Sequence, residues 1–258
     1  GQFGQFFTPK NAADLLVSFV APKPEDTVLD LACGAGGFLT SAASYVHSNN
    51  PSTDMRAYAQ KNLYGVDKDS FLARLGRIRL ASLYETASNI FCADSLIWDK
   101  ATLGEELNRF DVILTNPPFG SNISAGSEET LRKFDLAHKF RRRGDQYIDI
   151  GSINSSIPPQ IVFFEQCLRL LKPNGRLGIV IPESMISSSK YGYVTNYLLK
   201  NATIKALVGM PENLFKTSGR GGTHTKTCLL YLEKKEPISR NQIFFAAEAK
   251  WCGHDSRG

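Results

Sequence analysis

The chain has 258 residues, of which 42% are apolar and 21% charged, with a net charge of +5. That composition suits one large globular domain, or one domain with a small annex. No apolar stretch approaches the roughly 18 residues of a membrane span, and no charged-then-apolar leader stands at the start, which argues against a membrane protein.

Five scattered cysteines (Cys33, Cys92, Cys167, Cys228, Cys252) form no CxxC pair, and the four histidines show no ligand spacing. A disulfide framework and a metal site are therefore not expected, and a reducing cytoplasm is. The mild positive charge tolerates a polyanionic partner without demanding one. The chain opens at Gly1-Gln2-Phe3 without Met, as a processed chain or excised domain would.

Strand-like and helix-like segments alternate along most of the length. Residues 27–32 read as a short apolar strand and 38–47 as a helix. A strand follows at 62–66, then a helix at 71–84 with apolar residues at helical spacing. Short strands are expected at 90–93 and 110–115. The segment 160–171 is a strong helix stopped by Lys172-Pro173-Asn174-Gly175. A buried strand at 177–181, a helix at 193–200 and strands at 204–208 and 227–232 complete the pattern. This alternation predicts an α/β fold with a doubly wound sheet. The long polar stretch 120–158 reads as an irregular, substrate-facing loop, far longer than an ordinary connection.

Two loops at expected strand ends carry chemistry. In DLACGAGGFL (30–39), Asp30 ends a strand, and Gly34, Gly36 and Gly37 turn the chain into a helix. Glycine lets backbone approach a ligand closely, and the Asp30 carboxylate can meet an ammonium group. Neither GxGxxG nor GxxxxGK[ST] is present, which weakens a phosphate-binding reading. Asp67 in YGVDKD ends the next strand, where an acid suits ribose hydroxyls. Asp94 in FCADSL ends the third and can accept from an exocyclic amine. Singly, each acid could be a turn residue or helix cap.

The second loop is Asn116-Pro117-Pro118-Phe119, after the apolar run FDVILT. It offers one amide, a stiff backbone with an exposed carbonyl, and an aromatic ring. Such a site can grip a planar amine and stack its ring, although Pro-Pro also suits a simple stiffened turn. Together the two loops point to methyl transfer onto an amino group of a base.

These residues, with GQFFTP (4–9) ahead of them and 157–184 and 210–235 behind, resemble an S-adenosylmethionine-dependent adenine-N6 DNA methyltransferase. The downstream segments resemble the modification subunit of type I restriction–modification systems. The resemblance implies a class I, Rossmann-like sheet of seven mostly parallel strands with an antiparallel last strand. It implies a catalytic domain over 1–240 and leaves 241–258 as an extension without an assigned role. The implied cofactor is S-adenosylmethionine. Asp30, Ala32, Cys33, Gly34, Gly36 and Phe38 would hold its methionine part, and Phe7, Thr8 and Pro9, after Phe6, would close over that end. Asp67 and Lys68 would hold the ribose, Asp94 and Ser95 the adenine, with Asn116 also touching the cofactor.

The implied catalytic residues are Asn116, Pro117 and Phe119. Phe119 would stack on the target adenine, worth on the order of 1–3 kcal/mol, after that base is flipped out of the duplex. Candidate DNA contacts are Arg141, Arg142 and Arg143, beside Lys139, and Phe215, Lys216 and Arg220 in a glycine-rich loop. Either basic group could equally be a solvated charge run. The implied partners are double-stranded DNA, a specificity subunit and a restriction subunit, with no membrane and no metal, in a bacterial or archaeal cytoplasm. Two other readings remain: a methyltransferase acting on a glutamine side chain or an RNA base, and a non-catalytic scaffold docking a specificity subunit.

Overall fold

The computed structural model describes residues 7–97, 109–119, 125–215, 225–235 and 243–252. An eight-stranded sheet runs through them in the order β10-β8-β9-β7-β4-β1-β2-β3. Its strands are β1 (Val28–Asp30), β2 (Leu63–Asp67), β3 (Asn89–Cys92), β4 (Phe110–Thr115), β7 (Leu171–Pro182), β8 (Ala202–Gly209), β9 (Thr227–Lys234) and β10 (Phe245–Glu248). Only β9 runs antiparallel to its neighbours. Strands β5 (His138–Arg143) and β6 (Gln146–Ile153) form a separate antiparallel hairpin.

The apolar runs make strands because both sheet faces are covered. Consecutive side chains of a strand point to opposite faces. Val112 and Leu114 accordingly enter one core while Ile113 enters the other. The first core lies under α1 (Lys10–Val20), α2 (Gly37–Asn49), α3 (Met55–Asn62) and α4 (Ser70–Tyr84). The second lies under α5 (Pro159–Leu170) and α6 (Gly192–Asn201). Helix α5 opens with proline at its first turn, where no backbone donor is missed. Eleven of its twelve residues are buried, which makes it the central helix of that layer.

The doubly wound α/β expectation holds, with four additions. The sheet has an eighth strand, β10, inside the segment 241–258. It pairs in parallel with β8, its Phe245 ring lies 5.6 Å from Phe19 of α1, and Asn11 of α1 donates to the Cys252 carbonyl. The segment 120–158 is not an irregular loop, because it holds the β5–β6 hairpin. Helices α1 and α3 were not foreseen. Finally, the Lys172–Gly175 stop lies within β7, which begins as soon as α5 ends, with Asn174 at a φ of 61°.

A buried acid ties the second layer together. Glu165 of α5 is fully buried and accepts from the Asp135 and Leu136 amides at 3.0 and 2.8 Å. Burial pushes its carboxyl above the usual range, opposed by those two N–H groups and by Arg169. Glu165→Gln turns one acceptor into a donor facing an N–H, and an unsatisfied buried donor costs about 1–3 kcal/mol. Denaturant unfolding should show a loss of that size. Unchanged stability would mean that the burial cost of the charge cancels its two hydrogen bonds.

Candidate functional site

Strands β1, β2 and β3 step outward in one direction, while β4 begins the other half on the opposite side of β1. The sheet therefore changes winding direction between β1 and β4, and the crevice at such a switch point is where open α/β sheets bind ligands. The register Leu29↔Ile113 places the β1 and β4 ends side by side. Both loops singled out from the sequence leave the sheet at this crevice.

Asp30 ends β1 and is 1% exposed. It accepts from the Ala32 amide at 3.1 Å and lies beside Thr115, the last residue of β4. Burial pushes its carboxyl up to about 7. Thr115 and the Ala32 N–H pull against this, and Asp67 adds a further push. Asp67 ends β2, its Oδ2 accepting from the Gly34 amide and its Oδ1 from the Asp69 amide, both at 2.8 Å. Burial also raises Asp67, against those two N–H donors. Burial disfavours the charged form of both acids, and a cation at this part of the rim would restore it.

The glycine loop is seated from below. Gly34 and Gly36 have φ of 50° and 79°, a region that side chains other than glycine rarely adopt, and Gly36 precedes the first turn of α2. A methyl at Gly65 would meet Cys33 Sγ at 2.9 Å, and one at Gly76 would meet the Gly34 carbonyl at 3.1 Å. Both glycines exist to let the loop sink against β2 and α4, and sequence inspection passed over them, as it did Thr115. Glycine in mid-helix costs about 1 kcal/mol, a local penalty that marks Gly76 in retrospect. From above, the Phe7 ring reaches within 3.9 Å of where a Gly34 Cβ would stand, and Thr8 and Pro9 lead from it into α1.

Lys68 and Asp94 face each other, with Nζ and Oδ2 3.0 Å apart. Asp94 Oδ1 accepts from the Leu96 amide at 3.0 Å. The lysine side chain is 81% exposed, so the pair is weak and a ligand amine can replace it. Asn116 is half-buried with its Oδ1 shielded from solvent, followed by buried Pro117 and by Phe119 at 4% exposure.

Three expected site residues are packed into the framework. Phe38 is 3% exposed and packs in the first core. Ser95 is buried, and its hydroxyl donates to the Leu31 carbonyl at 2.5 Å, latching the β3 loop to the β1 loop. Gln166 Nε2 reinforces that latch by donating to the Ser95 carbonyl at 2.9 Å. Phe215 is 1% exposed and meets Phe119 edge to face, with centroids 5.7 Å apart. It supports the Phe119 ring. Lys216 and Arg220 lie outside the described residues. Arg141, Arg142 and Arg143 are exposed on β5, pointing alternately to its two faces. Among the described residues no cluster of three His, Cys, Asp or Glu side chains could hold a metal, and no helix is long and apolar enough to cross a membrane.

A family model described as N-6 DNA Methylase matches residues 1–257. The methylase subunit of the type I restriction enzyme EcoEI, from Escherichia coli, is 25% identical over 246 residues, covering 92% of this chain and 44% of that protein. The MpnII methylase subunit of Mycoplasma pneumoniae is 27% identical over 251 residues, covering 94% and 42%. The chain thus spans less than half the length of these curated relatives. Among solved structures, the type I restriction–modification methyltransferase subunit of Streptococcus thermophilus shares the fold, with a TM-score of 0.69, 22% identity and coverage of 96% and 48%.

The raised Asp30 carboxyl has a measurable signature. Its folded value of about 7 lies above the ordinary 3.8, so its stability contribution is intact below about 4 and is lost as pH rises toward 7. Asp30→Asn should therefore leave thermal stability near pH 4 little changed and raise it at pH 8, by on the order of 2–4 kcal/mol. Equal effects at both pH values would show that the Asp30 carboxyl is not raised in the folded chain.

Proposed function

The chain belongs to the N-6 DNA methylase family, and from that membership and the site we propose that it transfers a methyl group from S-adenosylmethionine to the N6 amine of a flipped-out adenine in DNA. The observation that carries this reading is the meeting of two loops at the winding switch. The acid-rimmed glycine loop after β1 and the Asn116-Pro117-Pro118-Phe119 loop after β4 share one crevice. Family membership favours DNA adenine over a glutamine side chain or an RNA base. An intact pair of acceptors has no use in a scaffold.

The glycine loop fits the proposed cofactor in charge and shape. Asp30 and Asp67 supply negative potential to its cationic methionine end, and the absence of side chains at Gly34 and Gly36 lets it lie against the backbone. Each Asp67 oxygen accepts one backbone N–H and keeps a lone pair for a ribose hydroxyl. Asp94 can exchange Lys68 for an adenine amine. When bound, S-adenosylmethionine supplies the methyl on a positively charged sulphur.

The N6 lone pair of adenine is delocalised into its ring, so this amine is a poor nucleophile. Asn116 Oδ1 and the Pro117 carbonyl can each accept one N6 hydrogen. Two acceptors out of the ring plane favour a pyramidal nitrogen, whose lone pair then points along the line of displacement. No strong base is required, because the N6 proton becomes acidic once the nitrogen carries the methyl. Phe119 holds the adenine ring, and Phe215 holds Phe119. We assign the chain to the catalytic part of a longer modification enzyme that works with a specificity subunit and a restriction subunit, as the relatives named above suggest.

Asn116→Ala should abolish methyl transfer and leave cofactor affinity within a few fold. The check is labelled cofactor with unmethylated plasmid, with and without a specificity subunit, followed by nucleoside analysis for 6-methyladenine and calorimetry of cofactor binding. Parallel loss of transfer and binding would make Asn116 structural. Methyl label on cytosine or on protein alone would overturn the assigned acceptor.

A further inference from the structure

The β5–β6 hairpin is not a free arm. Phe140 of β5 stacks on Tyr193 of α6 with centroids 4.8 Å apart and planes inclined by 17°, and Tyr147 of β6 meets the same ring edge-on at 6.5 Å. Gly192 makes this docking possible, because a methyl there would collide with the Tyr147 hydroxyl. Between the docked hairpin and the segment 189–193 runs a groove of about 560 Å³.

The groove opens on the same rim as the crevice. Strand β7 is parallel to β4, with Ile179 opposite Thr115, so the chain after Pro182 leaves the sheet at the edge where Asn116 stands. Helix α5 carries the chain back toward the opposite edge before β7 begins, which sets the hairpin preceding it on that rim too.

Its walls are cationic. Lys139 and Arg142 line it from the hairpin and Lys190 from the facing segment. Among the described residues none of the three forms an ion pair with a carboxylate. Arg142 Nε donates to the Gly144 carbonyl at 2.9 Å, which fixes the guanidinium, and Lys190 Nζ lies 5.3 Å from the centre of the Tyr191 ring. Of the two hairpin acids, Asp149 is engaged by His138, and Asp145 is exposed in the turn, outside the groove lining. Arg141 and Arg143 are absent from the lining and alternate with Arg142 along the strand, whereas Lys139 reaches the groove at the register shift between His138 and Phe140.

We propose that this groove holds the sugar–phosphate backbone of the duplex beside the base offered to Asn116, with Lys139, Arg142 and Lys190 as its phosphate contacts. The inference rests on the reading of the chain as a DNA methylase and divides the basic run 139–143 into groove and outer residues. Three separated cations around a concave, aromatic-floored channel match the spaced charges of a phosphodiester chain, where a flat charge run would not.

The test is fluorescence anisotropy of this chain on a labelled duplex over a series of salt concentrations. Replacing Lys139, Arg142 and Lys190 together by Gln should make the slope of log K against log salt shallower by about 2 to 3, at about 0.9 per phosphate contact. Replacing Arg141 and Arg143 by Gln should change it less than half as much. Gly192→Ala, which alters no charge, should weaken binding at low salt by dislodging the hairpin. A triple variant with the unaltered slope, a larger effect from the outer pair, or no duplex binding by the unaltered chain at low salt would each overturn the groove. Cofactor affinity of the triple variant, unchanged in calorimetry, shows that it has folded. Methyl transfer to plasmid adenine by the unaltered chain is scored separately, so the groove can fail while the proposed reaction stands.

Discussion

The site depends on the Asp67 carboxylate and the two backbone amides that it receives. Through Gly34 it anchors the glycine loop to the end of β2, and through Asp69 it orders the turn that starts α4. Asp69 in turn caps α4 by accepting from the Phe71 and Leu72 amides at 2.8 and 3.1 Å. Gly76, on the second turn of that helix, then receives the Gly34 carbonyl and the Ala35 backbone. One side chain thus holds the loop from the front while a helix that it helps to start holds it from behind. The arrangement is tight: a methyl at Gly65 would press on Cys33 and one at Gly76 on Ile90 and the Gly34 carbonyl.

The rim carries two fields of opposite sign. At the winding switch, Asp30 and Asp67 sit in low-dielectric surroundings that raise both, with the buried Cys33 thiol pushed up beside them. At the hairpin, Lys139, Arg142 and Lys190 face open space. A cationic small molecule and a polyanion can therefore approach one edge of one sheet without competing for the same charges. Buried acids confer the stronger local preference, since their interactions are little screened, whereas the exposed cations act through summed and salt-sensitive attraction.

The parts of the fold legible in the sequence were those buried on both sides. Val28, Leu29, Val112, Ile113 and Leu114 are fully covered, and such runs stand out against turn residues. The acids at successive strand ends were legible for the same reason, because each follows a recognisable apolar run. The hairpin was not. Six of the eight residues from Arg141 to Ile148 carry a hydrogen-bonding or charged side chain and none of the eight is buried, so the hairpin tip shows no apolar run. Strand β10 is exposed at all four positions and joins the sheet through its backbone, which leaves little trace in side-chain pattern. Helix α1 is a different case: Ala12, Ala13, Leu16, Val17 and Val20 lie at helical spacing, and the signal was present. Phe38, Phe119 and Phe215 all pack in the first core, at 3%, 4% and 1% exposure, so burial does not set apart the ring that follows Asn116-Pro117-Pro118, and only its place after that loop does.

Strand β9 lies between β7 and β8, although it follows both in the chain. The neighbours of β8 are β9 and β10, and both leave the ribosome after it. During synthesis, then, β8 has no sheet neighbour until β9 begins to emerge at Thr227, while β1 through β7 can already assemble around the crevice. The strands that carry the two loops all precede in the chain the three that form the far edge of the sheet.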